Sequence, residues 1–218
     1  MSIFEQLSNN KGNISSALGK ALAQKVLQEN QMDILLECID LASYQALATA
    51  SRHIRSGAAK VVEIVAEKQP GWVAPQLDKL LPALSVQEPQ TRWAIIRVMG
   101  FCACLNKSVA LQAIAFAEKY IEDKQGLCLA SSTDLFLGDL GAISREDAQK
   151  VFPLLEQSIE SSIENEQDWL LEASYKLFGN LDQSEQAEVL QFAQRWQYSS
   201  RKTTQQRARR ILELKENR

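Results

Sequence analysis

Histidine is almost missing from this chain: among 218 residues only His53 is present. Nine glycines and five prolines are few for that length, and their scarcity argues against a turn-rich all-β fold. No run of about 18 apolar residues occurs, so no membrane span is expected. The opening MSIFEQLSNNKGN lacks a basic start followed by an apolar stretch and does not read as a secretory signal. A cytoplasmic location is the expectation. The four cysteines, Cys38, Cys102, Cys104 and Cys128, lie inside apolar helical patterns. Without a signal they are not expected to form a disulfide framework, and they read as reduced core thiols. Cys102 and Cys104 invite a metal reading, but residues i and i+2 point to different sides of a helix. No metal ligand set is expected.

Catalytic patterns are equally sparse. Nucleophilic catalysis needs an activated nucleophile beside a base, yet His53 sits in SRHIR next to Arg52 with no serine or cysteine elbow around it. No Gly-rich phosphate loop appears, and no carboxylate pair stands out from the general acidity. The expectation is no catalytic residue, no cofactor and no enzyme activity.

What the chain does contain is helix-forming sequence. Its long segments are rich in Ala, Leu, Gln, Glu and Lys, which lose little on entering a helix, and β-branched alternation is rare. The net charge of −3 hides an asymmetry. Residues 145–194 carry eleven acids against three bases, whereas residues 195–218 carry eight bases against two acids. Such a contrast bears on partners.

Three segments share a helical stretch ending in a bulky apolar residue and glycine: WAIIRVMGFCA (93–103), SSTDLFLGDLGA (131–142) and EASYKLFGNL (172–181). Gly100, Gly138 and Gly179 are 38 and 41 residues apart. IRSGAAKVVEIVAEK (54–68) aligns with them when Arg55 is placed on Arg92, an offset of 37. These spacings match a two-helix repeat of about 40 residues. Each unit has a candidate first helix. In WVAPQLDKLLPALS (72–85), Leu77, Leu80, Leu81 and Leu84 form a stripe behind Pro75. In 108–123 Ser108 is the candidate N-cap, and in 144–164 Ser144 and Asp147 have capping-box spacing, with Pro153 expected to kink the interior. Residues 183–197 and 203–216 form a last pair. The recurring glycine predicts close approach of a neighbouring helix that a Cβ would obstruct.

The pattern resembles the HEAT/armadillo repeat family over residues 33–181. Glu88, Thr91-Arg92 and Met99-Gly100 follow the order of that family's second helix, and Ile54-Arg55 fits in the earlier unit. Ala130 and Leu171 stand where the arginine would be in the later ones. The resemblance implies an all-α fold, a right-handed α-α superhelix of four to five helix pairs, as one repeat domain over 1–218. Residues 14–29 would cap one end and the 183–218 pair, with its basic end, the other.

It also implies that the second helices line a concave binding face. Shifting by the repeat spacing places Lys60, Arg97, Leu135 and Lys176 in one outward row, with Trp93 in a parallel row. An aromatic residue beside a basic ladder suits an acidic peptide or a nucleic-acid backbone, although solvated surface charges are the plainer reading. Trp169, beside Asp168, is either a wedge between repeats or a platform for a ligand. The basic residues Arg201, Lys202, Arg207, Arg209 and Arg210 form a second candidate patch. They either neutralise the acidic segment beside them or meet nucleic acid.

The expected function is therefore a protein-binding scaffold or adaptor. Nucleic-acid binding, or a DNA glycosylase of the HEAT-like alkylpurine type, is the alternative. The chain is similar to those glycosylases in size, tryptophan count and repeat type, but it is acidic overall and lacks a cleft motif pairing tryptophan and aspartate in register; Asp168-Trp169 is the nearest approach. A HEAT-like phycobilin lyase rests on fold analogy alone.

Overall fold

Amphipathic segments that bury one face against a neighbour account for every regular element among the described residues. The computed structural model describes residues 2–9, 16–44 and 52–216. Residues 14 and 15 of the expected first capping helix, and residues 217–218 of the last pair, lie outside them. All the regular elements described are helical. The chain forms two compact units, Met1–Phe116 and Ala117–Arg218.

In the first unit α1 (Ile3–Asn9) and α2 (Ser16–Glu29) pack against α4 (Arg52–Lys68), which also packs on α3 (Met32–Ser43) and α6 (Pro89–Phe101). The residues that face these neighbours are apolar: Ile54, Ala58, Val61, Val62 and Val65 of α4 are buried. Between α4 and α6 run a single turn, α5 (Pro70–Val73), and a 3-10 segment, Ala74–Ser85. The stripe expected over 72–85 implied an α-helix, and the structure corrects this. Of the expected stripe Leu77, Leu80 and Leu84 are buried and Leu81 is half-buried, and Ala74, Leu77, Leu80 and Ala83 are buried at an interval of three, the period of a 3-10 helix. Pro82 lies inside the segment. It has no N–H to donate, and its ring crowds the carbonyl four residues back, so an i→i−4 ladder is disfavoured there.

The next first helix also differs from expectation. It is broken into α7 (Lys107–Gln112) and α8 (Ile114–Glu122), and its N-cap is Asn106 rather than Ser108. The Asn106 side chain instead donates to the Ala74 carbonyl at 2.9 Å.

In the second unit α9 (Leu127–Gly141), α11 (Gln167–Leu177) and α13 (Lys202–Glu216) form the inner row, with α11 packed on both others. Helix α10 (Arg145–Glu160) backs α9 and α11, and α12 (Gln183–Trp196) backs α13. Helix α9 is buried along most of its length, including Phe136, Leu137 and Leu140. Two of its buried hydroxyls bond within the helix: Ser131 donates to the Leu127 carbonyl at 2.7 Å and Thr133 to the Leu129 carbonyl at 2.8 Å. Ser144 caps α10 by accepting from the Asp147 amide, and α10 continues through Pro153. A full capping box, Asp182 with Glu185, opens α12.

The glycines behave individually. A Cβ on Gly138 would lie 2.6 Å from Ala173 Cα of α11, so the close approach predicted there exists. At Gly179 nothing lies within 4 Å of that position, and the packing explanation does not hold. Gly179 sits in a 3-10 turn, Phe178–Asn180, that ends the helix.

Candidate partner-binding surface

Each second helix must serve two masters, since apolar residues face its neighbours while the remaining stripe stays open to solvent. In the first unit α4 and α6 carry three of the residues singled out from the sequence, two of them on that stripe. Lys60 is half-buried and pairs with Glu63 one turn on, at 2.7 Å. Its stem runs past Gly19 of α2, where a Cβ would meet Lys60 Cγ at 3.4 Å. Trp93 is half-buried on α6. Arg97, expected as an outward cation, is buried at 8% exposure. Its guanidinium lies over the Phe101 ring, 4.2 Å from the centroid, so the aromatic face replaces part of its hydration.

The first unit also holds a pairing that spacing alone did not reveal. Arg55 of α4 reaches Glu88, the residue that precedes α6, with Nε toward one carboxylate oxygen and Nη2 at 3.1 Å from the other. Both side chains are buried, and Arg55 Nη1 donates to the Tyr44 carbonyl at 2.9 Å. These are the positions that carried the family resemblance.

In the second unit α11 presents Trp169, Glu172, Tyr175 and Lys176, all half-buried. Lys176 turns to α9 and pairs with Asp139. The other three meet α13. Arg207 stacks on Trp169, 4.7 Å from the ring centroid, and Arg210 stacks on Tyr175 at 4.0 Å. Both arginines converge on one oxygen, Glu172 Oε2, at 3.3 and 3.2 Å. Arg201 pairs with Asp168 at 2.9 Å, the Thr204 hydroxyl donates to the same carboxylate, and Arg207 also donates to the Asp168 carbonyl at 2.7 Å. The structure thus brings Trp169 together with Arg201, Arg207 and Arg210 of the basic patch, and leaves Lys202 and Arg209 exposed. Three of the five basic residues are engaged with acidic or aromatic groups of α11, so much of the sequence asymmetry is neutralised locally.

Behind this surface lies a buried polar cluster. Lys124, just before α9, contacts both Glu166 carboxylate oxygens at 2.7 and 2.9 Å. Ser158 of α10 donates to Asp134 of α9 at 2.7 Å, and the Ile163 amide donates to Glu166 at 2.6 Å. Burial first, and then the negative charge of Glu166, push the Asp134 carboxyl well above the usual carboxylate range, against the opposing pull of Ser158 and Lys124. Asp134 Oδ2 accepts no hydrogen bond, which suits it to carry the retained proton beside Glu166. This cluster ties three helices together in the interior and offers no surface to a substrate.

Other chemical candidates are dispersed. Cys38 and Cys102 are buried, with burial pushing each thiol up to about 12. Cys104 and Cys128 are exposed, which corrects the expectation of four core thiols. Cys104 falls in the turn after α6 and Cys128 on the open side of the first turn of α9. Among the described residues no group of three or more His, Cys, Asp and Glu is placed to hold a metal ion. No helix among them is long and apolar enough to cross a membrane.

The paired helices define the class of fold, an all-α repeat architecture of the armadillo/HEAT kind. The same fold is found in solved structures over nearly the whole chain. A designed armadillo repeat protein shares 13% identity over 97% of each chain, with a TM-score of 0.65. Computationally designed armadillo repeat proteins for modular peptide recognition share 15% identity over 97% of each chain, with a TM-score of 0.58. A third, a designed armadillo repeat protein in complex with the peptide (KR)4, shares 13% over 97% of each chain, with a TM-score of 0.61. No protein-family model matches the chain, and no curated protein matches it in sequence.

Proposed function

We propose that this protein is a non-catalytic scaffold that binds a peptide segment of a protein partner along its second helices. The observation that carries this reading is the half-open row on α11. A tryptophan, a tyrosine and three charged groups of α11 and α13, all held in place by their neighbours, lie side by side there. Rigid aromatic and arginine side chains are the residue types that dominate binding energy at protein interfaces. Holding them before the partner arrives lowers the ordering cost of association. The fold supports the reading, since designed proteins of the same architecture take peptides. Trp169 and Lys176 are the residues of the second unit proposed for the contact, and Lys60 and Trp93 those of the first, whereas Arg97 is buried on Phe101.

Selection of a displayed library of extended peptides on the immobilised full chain tests the proposal. A consensus is expected to emerge whose binding weakens about tenfold or more on Trp169→Ala, the loss typical of a hot-spot residue. Failure to enrich any peptide, together with steeply salt-dependent binding of duplex DNA that is lost on Lys176→Ala, would replace the scaffold with a nucleic-acid binder. Base release from alkylated DNA would establish a glycosylase.

A further inference from the structure

From the arrangement of Arg207 and Arg210 we infer that α11 and α13 form a seat for a carboxylate, and that the peptide segment taken by this surface is acidic. The inference rests on the scaffold reading and specifies the chemistry of its partner.

Two guanidinium groups from successive turns of α13 share a single carboxylate oxygen of Glu172. Each lies over an aromatic ring of α11, 4.7 Å from the centroid of Trp169 and 4.0 Å from that of Tyr175. Stacking covers one face of a guanidinium and leaves its edge, where the N–H groups lie, to meet an acceptor. Arg207 is largely committed, with 20% of its side chain exposed and a second bond to the Asp168 carbonyl. Arg210 is not: 45% of its side chain is exposed. Much of that side chain is therefore still open to water, and a guanidinium can bind a planar carboxylate with two parallel hydrogen bonds.

The charge around the seat has the same sign. Arg201, Lys202, Arg207, Arg209 and Arg210 stand on and just before α13, against the three carboxylates of Asp168, Glu172 and Glu213. A modest positive excess remains after pairing. A nucleic-acid duplex is a poorer occupant, because its binding energy comes from neutralising many phosphates along a stripe. Here the excess is confined to one helix, Glu172 sits at the centre, and the preceding fifty residues are strongly acidic. A short segment bearing one or two carboxylates can engage the exposed part of Arg210 beside Glu172, whose single charge Arg207 and Arg210 already share.

Fluorescence anisotropy with the full chain at low salt provides the test. The probes are a labelled extended peptide with glutamate at alternate positions, the same peptide with glutamine throughout, and a labelled DNA duplex. The acidic peptide is expected to bind at least about tenfold more tightly than its glutamine counterpart, in line with a charge-assisted pair. Arg210→Ala should remove that preference while the circular dichroism spectrum stays helical and the melt stays cooperative, at a somewhat lower midpoint because the contacts to Tyr175 and Glu172 are lost. Tyr175→Leu, which takes away the ring under Arg210, should weaken it in part. Equal binding of the two peptides overturns the inference, as does an acidic preference that survives Arg210→Ala. Tighter binding of the duplex than of either peptide overturns it as well. A library consensus lacking acidic residues and indifferent to Arg210→Ala would discard the carboxylate seat and leave the scaffold standing.

Discussion

Arg55 and Glu88 form a buried, two-pronged ion pair that joins α4 to the start of α6. Such a pair is costly to desolvate and more costly to break, since removing one partner strands the other charge in a low-dielectric interior. Arg55→Ala is therefore expected to destabilise the protein by about 3–5 kcal/mol in urea unfolding. Replacing both residues, as Arg55→Leu with Glu88→Leu, should recover most of that loss, because no charge is then left unpaired. A double variant as unstable as the single one would show that packing rather than charge sets the effect.

Gly138 and Gly179 occupy equivalent places in the sequence pattern and should respond oppositely to alanine. At Gly138 the added carbon would collide with the backbone of α11, and overpacking of this kind costs about 1–3 kcal/mol. At Gly179 there is open space, so alanine restricts only the unfolded chain and should stabilise by about 0.4–1 kcal/mol. Paired melting curves of the two variants separate close packing from helix termination as the reason for each glycine.

The contribution of Asp134 to stability is expected to fall as pH rises above the ordinary carboxylate range toward its raised folded-state pKa. Its carboxyl is held well above the usual carboxylate range by burial and by Glu166. The folded chain therefore keeps a proton that the unfolded chain releases above about pH 4. The folded form binds more protons across that window, so each step up in pH favours unfolding. Asp134→Asn, which retains an acceptor for Ser158, should flatten the decline in unfolding free energy measured between pH 5 and pH 8. An unchanged slope in that variant would mean that Asp134 is already ionised in the folded state.

The helical repeat was legible because it is written in local periodicities. Leu, Ile and Ala stripes recur along 54–68, 93–103 and 131–142, and the Gly–Gly spacing places consecutive second helices in register. Ser144 as a cap is equally local, and so is the capping box at Asp182 and Glu185, which the pattern Asp-x-x-Glu could have disclosed. The 3-10 course of 74–85 was legible in part, through Pro82 and the interval of three between Ala74, Leu77, Leu80 and Ala83. An α-helical stripe through Leu81 and Leu84 fitted the same letters.

The surface was less legible. The rows placed Arg97 outside, yet it is buried on Phe101. The basic end of the chain stood out by composition, but nothing in its own sequence showed that Arg207 and Arg210 would lie on Trp169 and Tyr175 rather than in water. Trp169 and Arg207, or Tyr175 and Arg210, meet across a helix–helix contact from distant places in the chain, and the small shifts in crossing that decide such meetings leave no trace in a single chain of letters.

The sequence by itself determined that the chain would form helices arranged in successive pairs and most of the apolar stripe of each, because these depend on neighbours within one or two turns. Tertiary structure alone decided which charges are spent on holding helices together and which remain available. Whether Arg55 finds Glu88, Lys124 finds Glu166, or Arg210 stays partly open to water depends on distances between separate helices. A charge acquires its energy from the groups and the dielectric that packing places around it.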